Sequence, residues 1–206
     1  MTNPASCPTS RQPELKHAAV HIAPVNLPWR VLAVAWLPEA DALAVREAIK
    51  PLMGEFTFSS CVPFGREPHA QGKVGVLFRA AHAEPVSEDV IKLLTEHLGV
   101  TGVDILRYHD KARGQRRLMR MERCADGLRL DAFIMTGDIR SESWIRPLLQ
   151  EEMLADSYGR ALLAPGTVPP VAIASKGAQV CTCFNVTEPQ IVSFLQTCSG
   201  DAGARL

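Results

Sequence analysis

From Val31 to Leu37 seven apolar side chains follow one another without interruption, between Pro28 and Pro38. A run this short, with Val31, Val34 and Trp36 in it, predicts a buried strand. The pattern then changes period. Leu43, Ala44, Ala48 and Leu52 fall near helical spacing over residues 41–53, and Gly54 ends that stretch. Residues 56–62 and 73–78 read as two further strands. Ser87 offers an N-cap to a second helix, whose Val90, Ile91, Leu94 and Leu98 share one face before Gly99. Residues 103–108 read as a fourth strand.

Strand, helix, strand, strand, helix, strand over residues 29–109 is the order of a split βαβ, ferredoxin-like unit, so the expected class is α+β. Two more strands follow, 115–121 and 128–135, joined by Ala125-Asp126-Gly127, whose Asp-Gly step favours a hairpin. Gly137-Asp138 breaks the second of them. Ser141 then caps a helix carrying Trp144, Ile145, Leu148 and Leu149, with Pro147 as a kink or a first-turn residue. A short helical piece over 158–163 completes the body. Four regions result: a proline-broken tail (1–28), an α+β body (29–163), a Pro/Gly-containing linker (164–178) and a small C-terminal unit (179–206).

With 206 residues the chain can bury a real core. Lys+Arg and Asp+Glu are equal at 22 each, so global charge directs it neither to nucleic acid nor to a membrane surface. No apolar run has the length of a transmembrane helix. The first residues lack the basic-then-apolar pattern of a secretory signal. Six scattered cysteines (7, 61, 124, 181, 183 and 198) do not form a secreted disulfide framework, so a reducing cytoplasm is expected.

The chemistry concentrates near the end, in Val180-Cys181-Thr182-Cys183-Phe184-Asn185-Val186-Thr187-Glu188. Two thiolates one residue apart can reach the same metal or cluster. Thr187 then caps a helix, with Gln190 at the capping-box position and Pro189 in the first turn. The positive end of that helix points back toward the pair and favours thiolates or an anionic cluster. Iron–sulfur clusters of this kind take four thiolates, so the pair by itself supports half a site or two free thiols equally. Cys198 is not expected to be a third ligand. A straight helix from Glu188 would carry it roughly 15 Å away, onto the apolar face with Ile191, Phe194 and Leu195.

This segment resembles the start of the bacterioferritin-associated-ferredoxin-like [2Fe–2S] domain, in which a later C-x-x-C completes the ligand set. Three further stretches, Arg107–Arg117, Ile134–Asp138 and Trp144–Leu149, resemble the C-terminal extension of bacterial assimilatory nitrate reductase large subunits. Residues 11–20 resemble the last segment of the molybdopterin-dinucleotide-binding domain of those enzymes. The resemblance implies an electron-transfer region ending in an incomplete [2Fe–2S] domain, with Cys181 and Cys183 as metal ligands. By the same resemblance Gln12 and Lys16 touch the molybdopterin cofactor of the parent enzyme. The implied partners are a catalytic molybdopterin body and a reductase or ferredoxin-like electron donor, with neither nucleic acid nor membrane. The chain is expected to be a piece cut at both ends and not to reduce nitrate alone. The alternative is a non-enzymatic interaction or dimerisation module with idle cysteines.

Lys111, Arg113, Arg116, Arg117, Arg120 and Arg123 cluster around Gly114. They read either as a docking patch for an acidic donor or as a solvated hairpin, with Arg116 and Arg120 on one strand face. The six histidines show no metal-ligand spacing, and neither a nucleophile-elbow serine nor a phosphate-binding glycine loop occurs. Cys61 is expected to be a packed core thiol.

Overall fold

The computed structural model describes residues 26–65, 72–165, 168–169, 171, 177–181, 184 and 186–197. Strand β1 (Trp29–Pro38) leads into α1 (Glu39–Ile49), followed by a 3-10 turn (Lys50–Glu55) and by β2 (Phe58–Phe64) and β3 (Lys73–His82). Helix α2 (Glu88–His97) precedes a meander of β4 (Ile105–Asp110), β5 (Gln115–Cys124) and β6 (Gly127–Thr136). Helix α3 (Glu142–Gln150) and a second 3-10 turn (Gly159–Leu163) close the body. Short strands β7 (Gln179–Cys181) and β8 (Val186–Thr187) then lead into α4 (Glu188–Thr197). No helix among the described residues is long and apolar enough to cross a membrane.

Six strands form one antiparallel sheet in the order β2-β3-β1-β6-β5-β4. Helices α1 and α2 cover one face over Val31, Ala33, Ala35, Phe78, Ala80 and Ile134. Helix α3 and the turn at Gly159–Leu163 cover the other over Leu32, Val34, Leu77, Met119, Phe133 and Met135. Strand β1 lies inside both layers, which is why its sequence is continuously apolar rather than alternating. All six residues from Val31 to Trp36 are buried.

The order of elements over 29–109 agrees with the sequence reading, but the pairing differs from a four-stranded split βαβ unit. The place beside β1 belongs to β6, and β4 lies at the far edge. Composition gives the reason. In β6, Leu130, Ala132, Phe133, Ile134 and Met135 are all buried, whereas β4 (Ile-Leu-Arg-Tyr-His-Asp) buries Ile105 alone. Tight turns keep β4, β5 and β6 contiguous, so only one end of the meander can meet β1. The apolar strand takes the centre and the polar one faces solvent along the edge, where unpaired backbone groups are hydrated.

Two local expectations are also corrected. The first helix stops at Ile49 rather than continuing to 53, because Pro51 offers no N–H and clashes with the preceding turn, leaving a 3-10 turn in its place. Ser141 stands before α3 but caps nothing with its side chain. Its hydroxyl instead accepts from Arg117 Nη1. Ser87, by contrast, caps α2 as expected, its Oγ accepting from the Val90 N–H at 3.3 Å.

Candidate functional site

Cys181 ends β7, opposite Val186 in β8, while Gln179 stands opposite Thr187. This narrow ladder brings the cysteine's strand alongside the residues that run into α4. The Gln190 half of the expected capping box is formed at the start of the helix. Gln190 Oε1 accepts from the Thr187 backbone N–H at 2.8 Å and from its hydroxyl at 3.1 Å. The Glu188 N–H is taken by the Ala178 carbonyl at 2.8 Å, tying the helix start to the segment that enters β7. Cys181 is a half-buried free thiol.

Gln12, Lys16, Cys183 and Cys198 lie outside the described residues. Among the described residues no group of three or more His, Cys, Asp or Glu side chains could hold a metal ion. The donor chemistry at Cys181 still suits iron or zinc: a thiol at the end of a strand, separated by one residue in the sequence from a second cysteine and paired with Val186, two residues before α4. Two such thiolates fit half of a four-thiolate set. Helix α4 buries none of its residues; Ile191, Val192, Phe194 and Leu195 are exposed, as are Val180 and Phe184.

The basic cluster does not form one patch. Arg116 and Arg120 do share a face of β5, as the alternation requires, but both are paired. Arg116 Nη2 meets Glu88 Oε2 at 2.5 Å, and Arg120 Nε meets Asp131 Oδ1 at 2.8 Å. Arg120 Nη1 also donates to the Leu98 and Gly99 carbonyls at 3.0 Å, closing the C-terminal end of α2. Arg117 points to the opposite face and is 1% exposed. It donates to Ser141 Oγ, to the Asp138 carbonyl at 3.0 Å and to Met135 Sδ at 3.2 Å. Burial pulls its pKa down while Asp138 and Tyr108 oppose that shift. Arg117 is therefore an interior strut rather than a docking residue. Exposed positive charge in this region rests with Lys111, Arg113 and Arg123, and Arg113 is held by Asp110 at 3.3 Å.

Cys61 is half-buried against the α1 layer, and desolvation raises its pKa although the nearby Arg46 lowers it. This is a packing thiol, as expected. Among the described residues the histidines are dispersed, with His82 Nδ1 accepting from the Thr57 N–H at 3.0 Å and His109 on the β4 edge. Comparison of the chain with protein-family models, with curated proteins and with solved structures finds no match.

Proposed function

We propose that the chain is the C-terminal electron-transfer region of an assimilatory nitrate reductase. In this reading Cys181 and Cys183 hold part of a [2Fe–2S] cluster that passes electrons toward a molybdenum site reducing nitrate to nitrite. The observation that carries it is the position of Cys181, the first cysteine of the C-x-C motif: it ends a strand paired with the residues that enter α4. The order of the resembling segments, from residues 11–20 through Trp144–Leu149 to the cysteines, supports it. When bound, the cluster supplies one-electron redox chemistry. This chain contributes thiolate ligands, a helix terminus that favours negative charge, and a three-layer body that holds the cysteine unit against its partners. Anaerobic reconstitution of the full chain with iron and sulfide tests the reading. Because each chain supplies two of the four thiolates, a cluster shared between two copies is expected, with visible absorbance and a reduced-state EPR signal that are both lost in Cys181→Ser and Cys183→Ser. A colourless protein with wild-type folding after reconstitution would refute it.

A second reading, an interaction module without redox chemistry, is favoured by the apolar surface of α4. Phe194 is 65% exposed, and Ile191, Val192 and Leu195 flank it. It predicts self-association that is unaffected by chelators and weakened by Phe194→Ser.

A further inference from the structure

A cavity of about 660 Å³ opens at one end of the sheet, on the face covered by α2, and is unrelated to the cysteine unit. Its floor is a row of side chains from four adjacent strands. His109 of β4 pairs with Arg116 of β5, and Arg116 pairs with Thr136 of β6. Thr136 stands opposite Val31 of β1, which puts Trp29 diagonally beyond it on the same face. The start of α2 forms the roof with Val86 and Glu88, and Lys111 stands at the rim. Trp29 is fixed in place by packing. Its ring lies on Gly114, where a φ of +60° and an added Cβ only 2.1 Å from the ring exclude other residues. Thr136 Oγ1 donates to the Gly114 carbonyl at 3.0 Å and holds the same turn.

The electrostatics of the cavity are asymmetric. The Arg116 side chain is 14% exposed, whereas that of its partner Glu88 is 74% exposed. The guanidinium belongs to the cavity wall; the carboxylate reaches it from solvent. Arg116 Nη2 also lies 3.2 Å from His109 Nε2. Because arginine only donates, that histidine nitrogen accepts, and His109 orients the guanidinium without competing for an anion. Arg116 and Lys111 outnumber Glu88, the carboxylate that the cavity presents. A cation recessed in the wall, a displaceable carboxylate on it and an aromatic platform alongside make a receptor for a flat molecule with a negative end.

We propose that this cavity binds a small planar anion, an aromatic ring carrying a carboxylate or a phosphate. Its charged group takes the place of Glu88 on Arg116 beside Lys111, and its ring lies against Trp29. Glu88 is the internal stand-in that keeps the guanidinium paired when the cavity is empty.

The full chain is titrated at low salt with benzoate, with AMP and with inorganic phosphate, following tryptophan fluorescence and heat. Trp36 and Trp144 are buried on the other face, so a Trp29→Phe control assigns the optical signal. Benzoate or AMP is expected to bind at least about tenfold more tightly than phosphate, which lacks the ring. Glu88→Gln is expected to tighten that binding about fivefold by removing an exposed competing ion pair, and Arg116→Gln to weaken it about tenfold. The Glu88 variant is decisive, since a gain in affinity cannot arise from misfolding. Failure of benzoate and AMP alike to bind at millimolar concentration would overturn the proposal. So would unchanged or weaker binding by Glu88→Gln.

Discussion

A single arginine shows how far a side chain's role departs from its type. Arg113 and Arg117 are both cationic members of the same cluster, yet the Arg113 side chain is 74% exposed and Arg117 is enclosed. Removing Arg117 takes a donor away from the Ser141 hydroxyl and the Asp138 carbonyl and leaves a cavity. Urea denaturation should therefore show Arg117→Ala costing about 3 kcal/mol and Arg113→Ala less than about 0.5 kcal/mol. Equal costs would remove Arg117 from the core. Asp138 adds a pH-dependent contribution. The Arg140 side chain beside it is the chief cause holding its carboxyl at about 2, below the ordinary 3.8, with the Arg140 backbone N–H and Arg117 assisting and desolvation opposing. A folded pKa below the unfolded one means stability that is present above about pH 4 and lost as pH falls toward about 2. Thermal melts across that window should fall more steeply for the native chain than for Asp138→Asn. Parallel acid limbs would count against the pairing.

At the scale of elements, the sheet depends on one close approach that the hydrophobic pattern does not announce. Phe64 of β2 pairs with Gly75 of β3, and its ring lies where a Gly75 side chain would stand, 2.1 Å from an ideal Cβ. Gly75→Ala should cost about 1–3 kcal/mol, and less in a Phe64→Leu background, so a double-mutant cycle should be non-additive. Additive costs would mean the ring does not limit that position. Most elements were legible from periodicity: the uninterrupted β1, the α2 face of Val90, Ile91 and Leu94, the Asp126-Gly127 hairpin and the Thr187–Gln190 box. The strand order was not. It depends on which end of the meander is the more apolar, and reading consecutive elements as consecutive neighbours overlooks that comparison, although β6 and β4 differ plainly in composition. The helix carrying Trp144 and Leu148 and the short helical piece after it were legible too, but not that they cover the second face of the sheet. Single arginines were least legible, because a strand's alternation gives a face but not what covers it.

The described residues form a six-stranded sheet held between two helical layers, followed by a small cysteine unit whose helix leaves apolar residues exposed. In the electron-transfer reading the body is a scaffold, and the chemistry resides where Cys181 leaves β7. The cavity beneath α2 is lined by none of the cysteine unit's residues and requires no redox group. The cysteine reading is tested most directly by native mass spectrometry of the anaerobically reconstituted chain. With two thiolates per chain, it predicts a two-chain species carrying two irons and two sulfides, absent from Cys181→Ser. Apo mass alone after reconstitution, or a zinc increment that survives loss of Cys181, would contradict the account.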